Sequence, residues 1–355
     1  MDGEEFYTSP DTLLGALQHG LGRGAARAMR DPEAASSAVL ACLRRDHRWW
    51  WTVDERAVYL ARLVRDLKIP IARVLAVLDG VPPEDDENGA GLTLEVLEVL
   101  GRTGNREAVE GVRRHIIEGP HWAEALETVA STWDAALWDD LYPHLRGRLA
   151  TADLGRVLWI GAPWTRWAER DERIAAVIEA APDGRSRSTP EPTREPDLAQ
   201  ARRWVEAPGH PRYWASAHVL AREGEERDVP ALLAAVDRVH TRAEGLDRCY
   251  RGLIEGLARI GGGEAARIVP RLRRLWFTPH TYERAAVLRA LMLFAPAGEP
   301  PRHLLEGLGD CEADVRELAA THVGLTDRTR RHLAYLREDP METPEVRAAA
   351  ARRLD

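Results

Sequence analysis

The chain has 355 residues, of which 45% are hydrophobic and 30% are charged, and its formal net charge is −8. This balance is typical of folded globular proteins, and the length allows two domains or one elongated array of repeats. No run approaches about 18 consecutive apolar residues, which predicts no membrane span, and the acidic first residues do not resemble a secretory signal. We therefore expect a cytoplasmic protein whose three widely separated cysteines, Cys42, Cys249 and Cys311, are reduced.

The first half of the chain contains several helix-start signals. Asp31 precedes Pro32, which places a capping side chain before a proline in the first turn of a helix. Residues 52–55, Thr-Val-Asp-Glu, match a capping box and predict that a helix opens there. Asn105 is expected to cap a later helix, whereas Pro143 is expected to kink or split a helix over residues 137–149.

Nine of the twelve tryptophans lie before residue 168. The three consecutive tryptophans at 49–51 cannot all face one core, because successive helical residues point about 100° apart. At least one of them is expected at the surface. Trp159, Trp164 and Trp167 flank a break at residues 161–163 that is expected to bring their rings together. This aromatic cluster is either a binding pocket or packing between helices.

A proline-rich stretch divides the chain. Residues 182–197 contain four prolines and few apolar side chains, which predicts an exposed linker or loop. The predicted organisation is therefore an N-terminal helical segment over residues 1–181 and a C-terminal repeat segment over residues 198–355.

The C-terminal segment contains a degenerate repeat that returns every 31 to 37 residues. Each repeat has a tyrosine or valine, which we call the mark, and a small or apolar residue four positions later. A turn and a second short helix follow. The marks are Tyr213, Tyr250, Tyr282, Val315 and Val346. A repeat of this period predicts stacked helical hairpins that bury their apolar faces against neighbouring hairpins. Because no stretch shows sustained period-two alternation, we predict an all-α fold, an α-solenoid without a sheet.

Three passages end a helix near a glycine and open the next with an acidic or asparagine residue. They span residues 94–109, 220–233 and 257–270, and the Asp/Glu-Val-Arg starts at Asp314 and Glu345 add to them. These passages resemble the HEAT-like repeat family over residues 198–355 and around 93–131, but hardly over 1–80. The resemblance implies that residues 1–181 are a degenerate HEAT-like segment. It also implies a superhelix whose second helices line a concave groove.

A locally basic region lies within this acidic protein, since residues 198–290 carry 16 basic and 11 acidic side chains. Three arginines are spaced along one face of a helix with Glu255, and the resemblance places this face in the groove. A further group follows one helix later. The candidate groove residues are Arg248, Arg251, Arg259, Arg271, Arg273, Arg274 and Trp276. Arginine side chains suit carboxylates and phosphates, so the region is either an anion-favouring groove or an ordinary solvated face with salt bridges between repeats.

No catalytic or metal-binding motif is present. Lys68 is the only lysine, so the rest of the chain cannot supply a phosphate-loop or Schiff-base lysine, and the histidines lack zinc-ligand spacing. We expect no cofactor, no metal and no intrinsic enzymatic activity. A site assembled from distant residues would be sought among Asp134, Asp139 and Asp140, next to the tryptophans.

The leading functional prediction is a scaffold or adaptor that holds a protein or peptide partner in the groove of the solenoid. An acidic partner would suit the arginines. The alternative implied by the resemblance is a nucleic-acid-binding protein related to the HEAT-like alkylpurine DNA glycosylases, which use tryptophans and an aspartate in a basic groove. In this chain the tryptophans concentrate in the acidic half, which counts against that alternative. The HEAT-like lyase subunits that attach bilin chromophores share only the repeat.

Overall fold

The computed structural model describes residues 7–48, 50–82, 90–151, 161–180, 195–239, 250–296 and 301–355. Every regular element in these ranges is an α-helix or a short 3-10 helix, and none is a strand. The prediction of an all-α fold is therefore confirmed.

The chain forms two compact units. The first contains residues 1–18, 24–48 and 55–187, and the second contains residues 19–23, 49–54 and 188–355. Most of the predicted linker lies outside the described residues, which resume at 195, so its role as a linker stays a prediction.

The first unit is built around one central helix. This helix is buried along most of its length and contacts four others of the unit, α4, α5, α7 and α8. It is α6 in the series α1 (Leu13–Gln18), α2 (Gly22–Ala28), α3 (Pro32–Leu43), α4 (Arg56–Asp66), α5 (Ile71–Asp79), α6 (Ala90–Arg102), α7 (Arg106–Glu118), α8 (Trp122–Ala130), α9 (Tyr142–Thr151), α10 (Trp164–Trp167) and α11 (Glu172–Ala180).

Most local helix-start predictions in this unit are confirmed. The Asp31 carboxylate accepts the Ala34 N–H at 3.2 Å, and the Asn105 side chain accepts the Ala108 N–H at 3.0 Å. The capping box at residues 52–55 is wrong, because residues 51–53 form a turn and α4 begins only at Arg56 without a side-chain cap. The helix expected over residues 137–149 is split rather than kinked near Pro143: 3-10 helices span Ala135–Leu137 and Asp139–Leu141, and Pro143 is the second residue of α9, where its missing N–H is not needed.

The second unit contains the repeat segment, and its helices alternate between two sets. In chain order they are α12 (Leu198–Trp204), α13 (Tyr213–Glu223), α14 (Val229–Val239), α15 (Tyr250–Ile260), α16 (Gly262–Ala265), α17 (Val269–Leu275), α18 (Arg284–Leu293), α19 (His303–Gly307), α20 (Ala313–His322), α21 (Asp327–Glu338) and α22 (Pro344–Leu354). Helix α13 contacts α15, α15 contacts α18, α18 contacts α20, and α20 contacts α22. The helices between them, α14, α17, α19 and α21, each contact the helix that follows.

The repeat marks coincide with this series. Tyr213 and Tyr250 are the first residues of α13 and α15, and Val315 and Val346 lie in α20 and α22; all four are buried. Tyr282 lies in a 3-10 helix just before α18. One continuous apolar core runs from Ala201 to Ala350. The recurring buried positions therefore mark the helices that contact one another in sequence.

Candidate anion-binding surface

The predicted arginine face is present on helix α15. Arg251, Glu255 and Arg259 are exposed, while the opposite face of the helix is buried. This division follows from the helical spacing, since residues four apart lie on one face. Arg248 belongs to the predicted set but lies outside the described residues.

The ion pairs on this face leave an excess of positive charge. The Arg251 Nε lies 3.1 Å from the Glu255 Oε1, and a guanidinium nitrogen of Arg289 on α18 lies 3.9 Å from the same oxygen. Two arginines thus share one carboxylate. All three side chains are about half exposed, so solvent weakens these pairs and the arginines can exchange partners.

Arg259 has a structural contact that its spacing did not reveal. Its Nε donates to the Ala221 carbonyl at 3.2 Å and its Nη2 donates to the Gly224 carbonyl at 2.7 Å. These carbonyls lie at the C-terminal end of α13, where a cation satisfies otherwise unpaired backbone groups. Arg259 therefore joins two successive helices of the series as well as contributing charge.

The second group of predicted groove residues separates into exposed and buried members. Arg273 and Arg274 on α17 are exposed, and among the described residues neither has a carboxylate partner. Arg271 is half-buried beside Tyr250; burial raises the pKa of the Tyr250 hydroxyl and Arg271 opposes that shift. Trp276 does not line a surface, because its side chain is fully buried and its ring packs edge-on against the His303 ring at 5.1 Å.

The charge of this region is strongly one-sided. Residues 250–296 contain eight arginines and three glutamates, a formal net charge of +5 in a chain of net charge −8. One of those arginines, Arg284, is buried, and one of the glutamates, Glu283, is also buried. The surface arginines therefore outnumber the surface carboxylates. Arg251 and Arg289 lie on α15 and α18, which contact each other, whereas Arg273 and Arg274 lie on α17 of the other set of helices. We call the adjacent pair Arg273 and Arg274 the arginine surface.

The aromatic cluster is interior packing. Trp164 and Trp167 are fully buried with ring centroids 5.8 Å apart, and the Trp167 ring lies 5.3 Å from that of Tyr142. Their indole N–H groups donate to Glu127 at 2.5 Å and to Asp139 at 2.9 Å. The rings do come together as expected, but neither face is open to a ligand. Trp159, the third predicted member, lies outside the described residues.

The run of three tryptophans behaves differently. Trp50 and Trp51 are 42% and 65% exposed, which confirms that the run cannot face one core. Trp49 lies outside the described residues.

The aspartates next to the tryptophan cluster are held by arginines. Asp139 pairs with Arg166 at 3.0 Å and with Arg170, while both Asp140 oxygens accept from Arg113 at 2.7 Å. Burial raises the pKa of Asp139, but its hydrogen bonds and the neighbouring arginine charges lower it more, leaving it below its ordinary value. The hydrogen bond from Arg113 lowers the pKa of Asp140.

A lowered pKa weakens a carboxylate as a general base. The third aspartate, Asp134, accepts the Ala136 N–H at 2.9 Å as a helix cap. None of the three aspartates is therefore arranged as an acid–base pair.

Two kinds of chemical centre were sought in the described part of the chain, a metal site and an activated thiol. No group of three or more His, Cys, Asp or Glu residues in it could hold a metal ion. Burial raises the pKa of the Cys42 thiol to about 12, and it also raises that of Cys311. A thiol with a raised pKa is a poor nucleophile.

Among the helices of the described ranges, none combines the length and the apolar character needed to cross a membrane.

Comparisons of the chain with protein-family models, with curated proteins and with solved structures found no match. The resemblance to the HEAT-like family therefore rests on the sequence passages alone.

Sequence reasoning missed two features of the second unit. The first is a set of buried arginine–carboxylate pairs, of which Arg284–Asp310 and Arg316–Glu342 are the most buried. Each pair joins residues 26 positions apart, a recurring spacing that could have been found in the sequence. The second is a cavity beside Arg273 that includes Arg302 and His303. No sequence signal marks this cavity, because its walls come from three different helices.

Proposed function

We propose that the chain is a non-enzymatic scaffold whose second unit is a HEAT-like helical solenoid that holds an acidic protein segment on the arginine surface. The observation that carries this proposal is the pair Arg273 and Arg274, which are exposed, adjacent and without a carboxylate partner among the described residues.

The packing of the second unit supports the solenoid part of the proposal. Helices α13, α15, α18, α20 and α22 contact one another in succession, and each has a neighbouring helix from the preceding segment of chain. Such nearest-neighbour packing is the arrangement of helical repeat proteins, whose extended surfaces bind partners.

The charges support an acidic partner. A net charge of −8 repels acidic molecules from the protein as a whole, so attraction is confined to the region where positive charge is in excess. Exposed charges of this kind mainly raise the association rate and make binding sensitive to salt. Since Trp164 and Trp167 are buried, the stacking platform expected of a nucleic-acid binder is not formed by them.

The test is binding of a fluorescein-labelled acidic peptide, a glutamate-rich dodecamer, to the full chain and to the double variant Arg273→Glu/Arg274→Glu. We expect the double variant to bind about tenfold more weakly or worse, because attraction is replaced by repulsion at the same positions. Fluorescence anisotropy gives the dissociation constants, and circular dichroism checks that the fold is kept.

A matched control is available on α21, where Arg330 and Arg331 are also adjacent and exposed. Arg330→Glu/Arg331→Glu makes the same change in net charge at a different place and should leave peptide binding within about twofold. Equal losses for the two double variants would contradict the assigned location. Tighter binding of duplex DNA than of the peptide, lost with Arg273 and Arg274, would favour the nucleic-acid alternative instead.

A further inference from the structure

A cavity opens in the second unit between helices α17, α18 and α19. Its volume is about 430 Å³, which lies within the range of small-molecule sites. It is lined by Val269, Arg273, Leu291, Phe294, Ala295, Pro296, Pro301, Arg302 and His303. We call it the basic cavity.

Most of the cavity wall is apolar. Six of the lining residues have hydrocarbon or aromatic side chains, contributed by α17, by α18 and the three residues that follow it, and by Pro301 just before α19. An apolar body of a ligand would be removed from water against this wall, and such burial is the general source of affinity in small-molecule sites.

The polar part of the wall is cationic. Arg273 and Arg302 are exposed, and neither has an ion pair among the described residues. None of the described lining residues is acidic. The carboxylate of Glu306 is already engaged, since both of its oxygens accept from Arg23 at 2.6 and 2.8 Å. Among the residues that the structure describes, no carboxylate is therefore left to neutralise the two arginines at the cavity.

His303 adds an unused hydrogen-bonding group to this wall. The residue is only 5% exposed, and its Nδ1 is buried without a hydrogen-bond partner among the described residues. Burial lowers the pKa of His303; Glu306 opposes this shift, and the charges of Arg302 and Arg273 add to it. Buried polar atoms in native proteins normally have a partner, so this nitrogen leaves room for a hydrogen bond from a water molecule or a ligand.

We propose that the basic cavity binds a small carboxylate with a compact apolar body. Arg273 and Arg302 hold the carboxylate through charge-assisted hydrogen bonds, and the apolar wall covers the body. A monoanion fits better than a phosphate ester, because a dianion must give up more hydration against a mainly apolar wall.

This site does not require the proposed scaffold function, although Arg273 belongs to both. Arg274 on the same helix is exposed but does not line the cavity. A substitution of Arg274 therefore distinguishes peptide binding from ligand binding in the cavity. Loss of Arg274 should affect the acidic peptide and not the small carboxylate.

The test is a ligand-observed NMR titration of the full chain with 3-phenylpropanoate. A saturable dissociation constant on the order of 1 mM is expected for a ligand of this size. Arg273→Gln and Arg302→Gln should each weaken binding about tenfold, whereas Arg274→Gln should leave it unchanged within about twofold. All three positions are exposed, so the variants should fold, and circular dichroism checks this.

Two further ligands define the chemistry. The neutral analogue 3-phenylpropan-1-ol should bind at least about tenfold more weakly, since it keeps the body and loses the charge. A short peptide ending in phenylalanine should compete with 3-phenylpropanoate when its terminal carboxylate is free and not when it is amidated, if the natural source is a polypeptide C-terminus. Competition by neither peptide assigns the site to a free small acid.

Three outcomes would overturn the proposal. The first is no saturation by about 10 mM acid. The second is equal affinity for the acid and the alcohol. The third is an equal effect of Arg302→Gln and Arg274→Gln.

Discussion

Replacing Asp310 by asparagine is expected to lower the free energy of unfolding of the second unit by about 3–5 kcal/mol. Arg284 is fully buried, and its Nε and Nη2 donate to the two Asp310 oxygens at 2.9 and 2.8 Å. Asparagine keeps the size of the side chain but removes its charge, so the buried guanidinium would lose the anion that compensates it. Urea unfolding followed by circular dichroism measures the change.

The remaining contacts of Arg284 explain why it cannot move out to solvent. It also donates to the carbonyls of His19, Gly20 and Thr278, at 3.0, 3.2 and 3.3 Å. These bonds fix the guanidinium in the interior. A charge fixed in this way must be compensated where it lies, which is why removing one partner costs more than the pair itself contributes.

Glu255→Gln is the matched control for this prediction. It also removes a carboxylate from an arginine, but Arg251 and Glu255 are about half exposed, and we expect a loss of less than about 1 kcal/mol. The paired replacement Arg284→Met/Asp310→Leu should not recover the lost stability, because it leaves the carbonyls of His19, Gly20 and Thr278 without this donor. A loss in Asp310→Asn no larger than that in Glu255→Gln would show that the buried pair does not hold the unit together.

The buried pair recurs one repeat later. Arg316 and Glu342 bond through Nε and Nη2 at 2.8 Å each, and each lies 32 residues after its counterpart in the first pair. In both pairs an arginine of one helix reaches a carboxylate just before the second helix downstream. Arg202 and Asp228 have the same separation of 26 residues. Each of these pairs joins elements that are next to each other in space. The pairs therefore recur along the chain as the apolar repeat does.

Local signals in the sequence were enough to predict several of the helix starts. Asp31 and Asn105 act within one turn of their own helices, so their neighbours in sequence determine what they bond. The apolar repeat was also readable, because it depends on burial alone. The capping box predicted at residues 52–55 failed, because these residues take part in a turn instead. In that turn the Val53 N–H donates to the Trp50 carbonyl.

The contacts and burial of the candidate site residues could be predicted less well from the sequence than the helices. Helical spacing predicted that Arg251 and Arg259 share a face, but not that Arg259 bonds carbonyls more than 30 residues away. It also gave no sign that Trp276 is buried next to His303 while its neighbours Arg273 and Arg274 are exposed. These outcomes depend on which helix packs against which, and no local pattern encodes that.

Replacing Glu283 by glutamine is expected to stabilise the protein in alkaline solution. Glu283 is 1% exposed, its Oε1 accepts the Tyr250 N–H at 2.6 Å, and its Oε2 has no partner among the described residues. Burial raises the pKa of this carboxyl from 4.5 to about 8. The folded protein therefore binds one proton more than the unfolded chain between these two pKa values.

The sign of the pH dependence follows from that extra proton. Where the folded state binds more protons, the free energy of unfolding falls as the pH rises. Below the unfolded pKa of 4.5, the Glu283 carboxyl does not lower the free energy of unfolding. The loss of stability grows above that pH and is complete once the pH has passed about 8. Its full size is up to about 5 kcal/mol, since the rise from 4.5 to about 8 corresponds to about 1.4 kcal/mol for each pKa unit.

Glutamine should keep the hydrogen bond to Tyr250 through its amide oxygen and remain uncharged at every pH. The two proteins should then be about equally stable at pH 5, and Glu283→Gln should be the more stable one at pH 9. Urea unfolding at a series of pH values gives the difference, and it should grow steadily between the two pKa values. Glu264→Gln, at a partly exposed position paired with Arg267, should produce no such growing difference. A Glu283→Gln protein that is less stable than the parent at pH 9 would mean that the buried carboxylate is ionised and held by a cation, contrary to the assignment made from its surroundings.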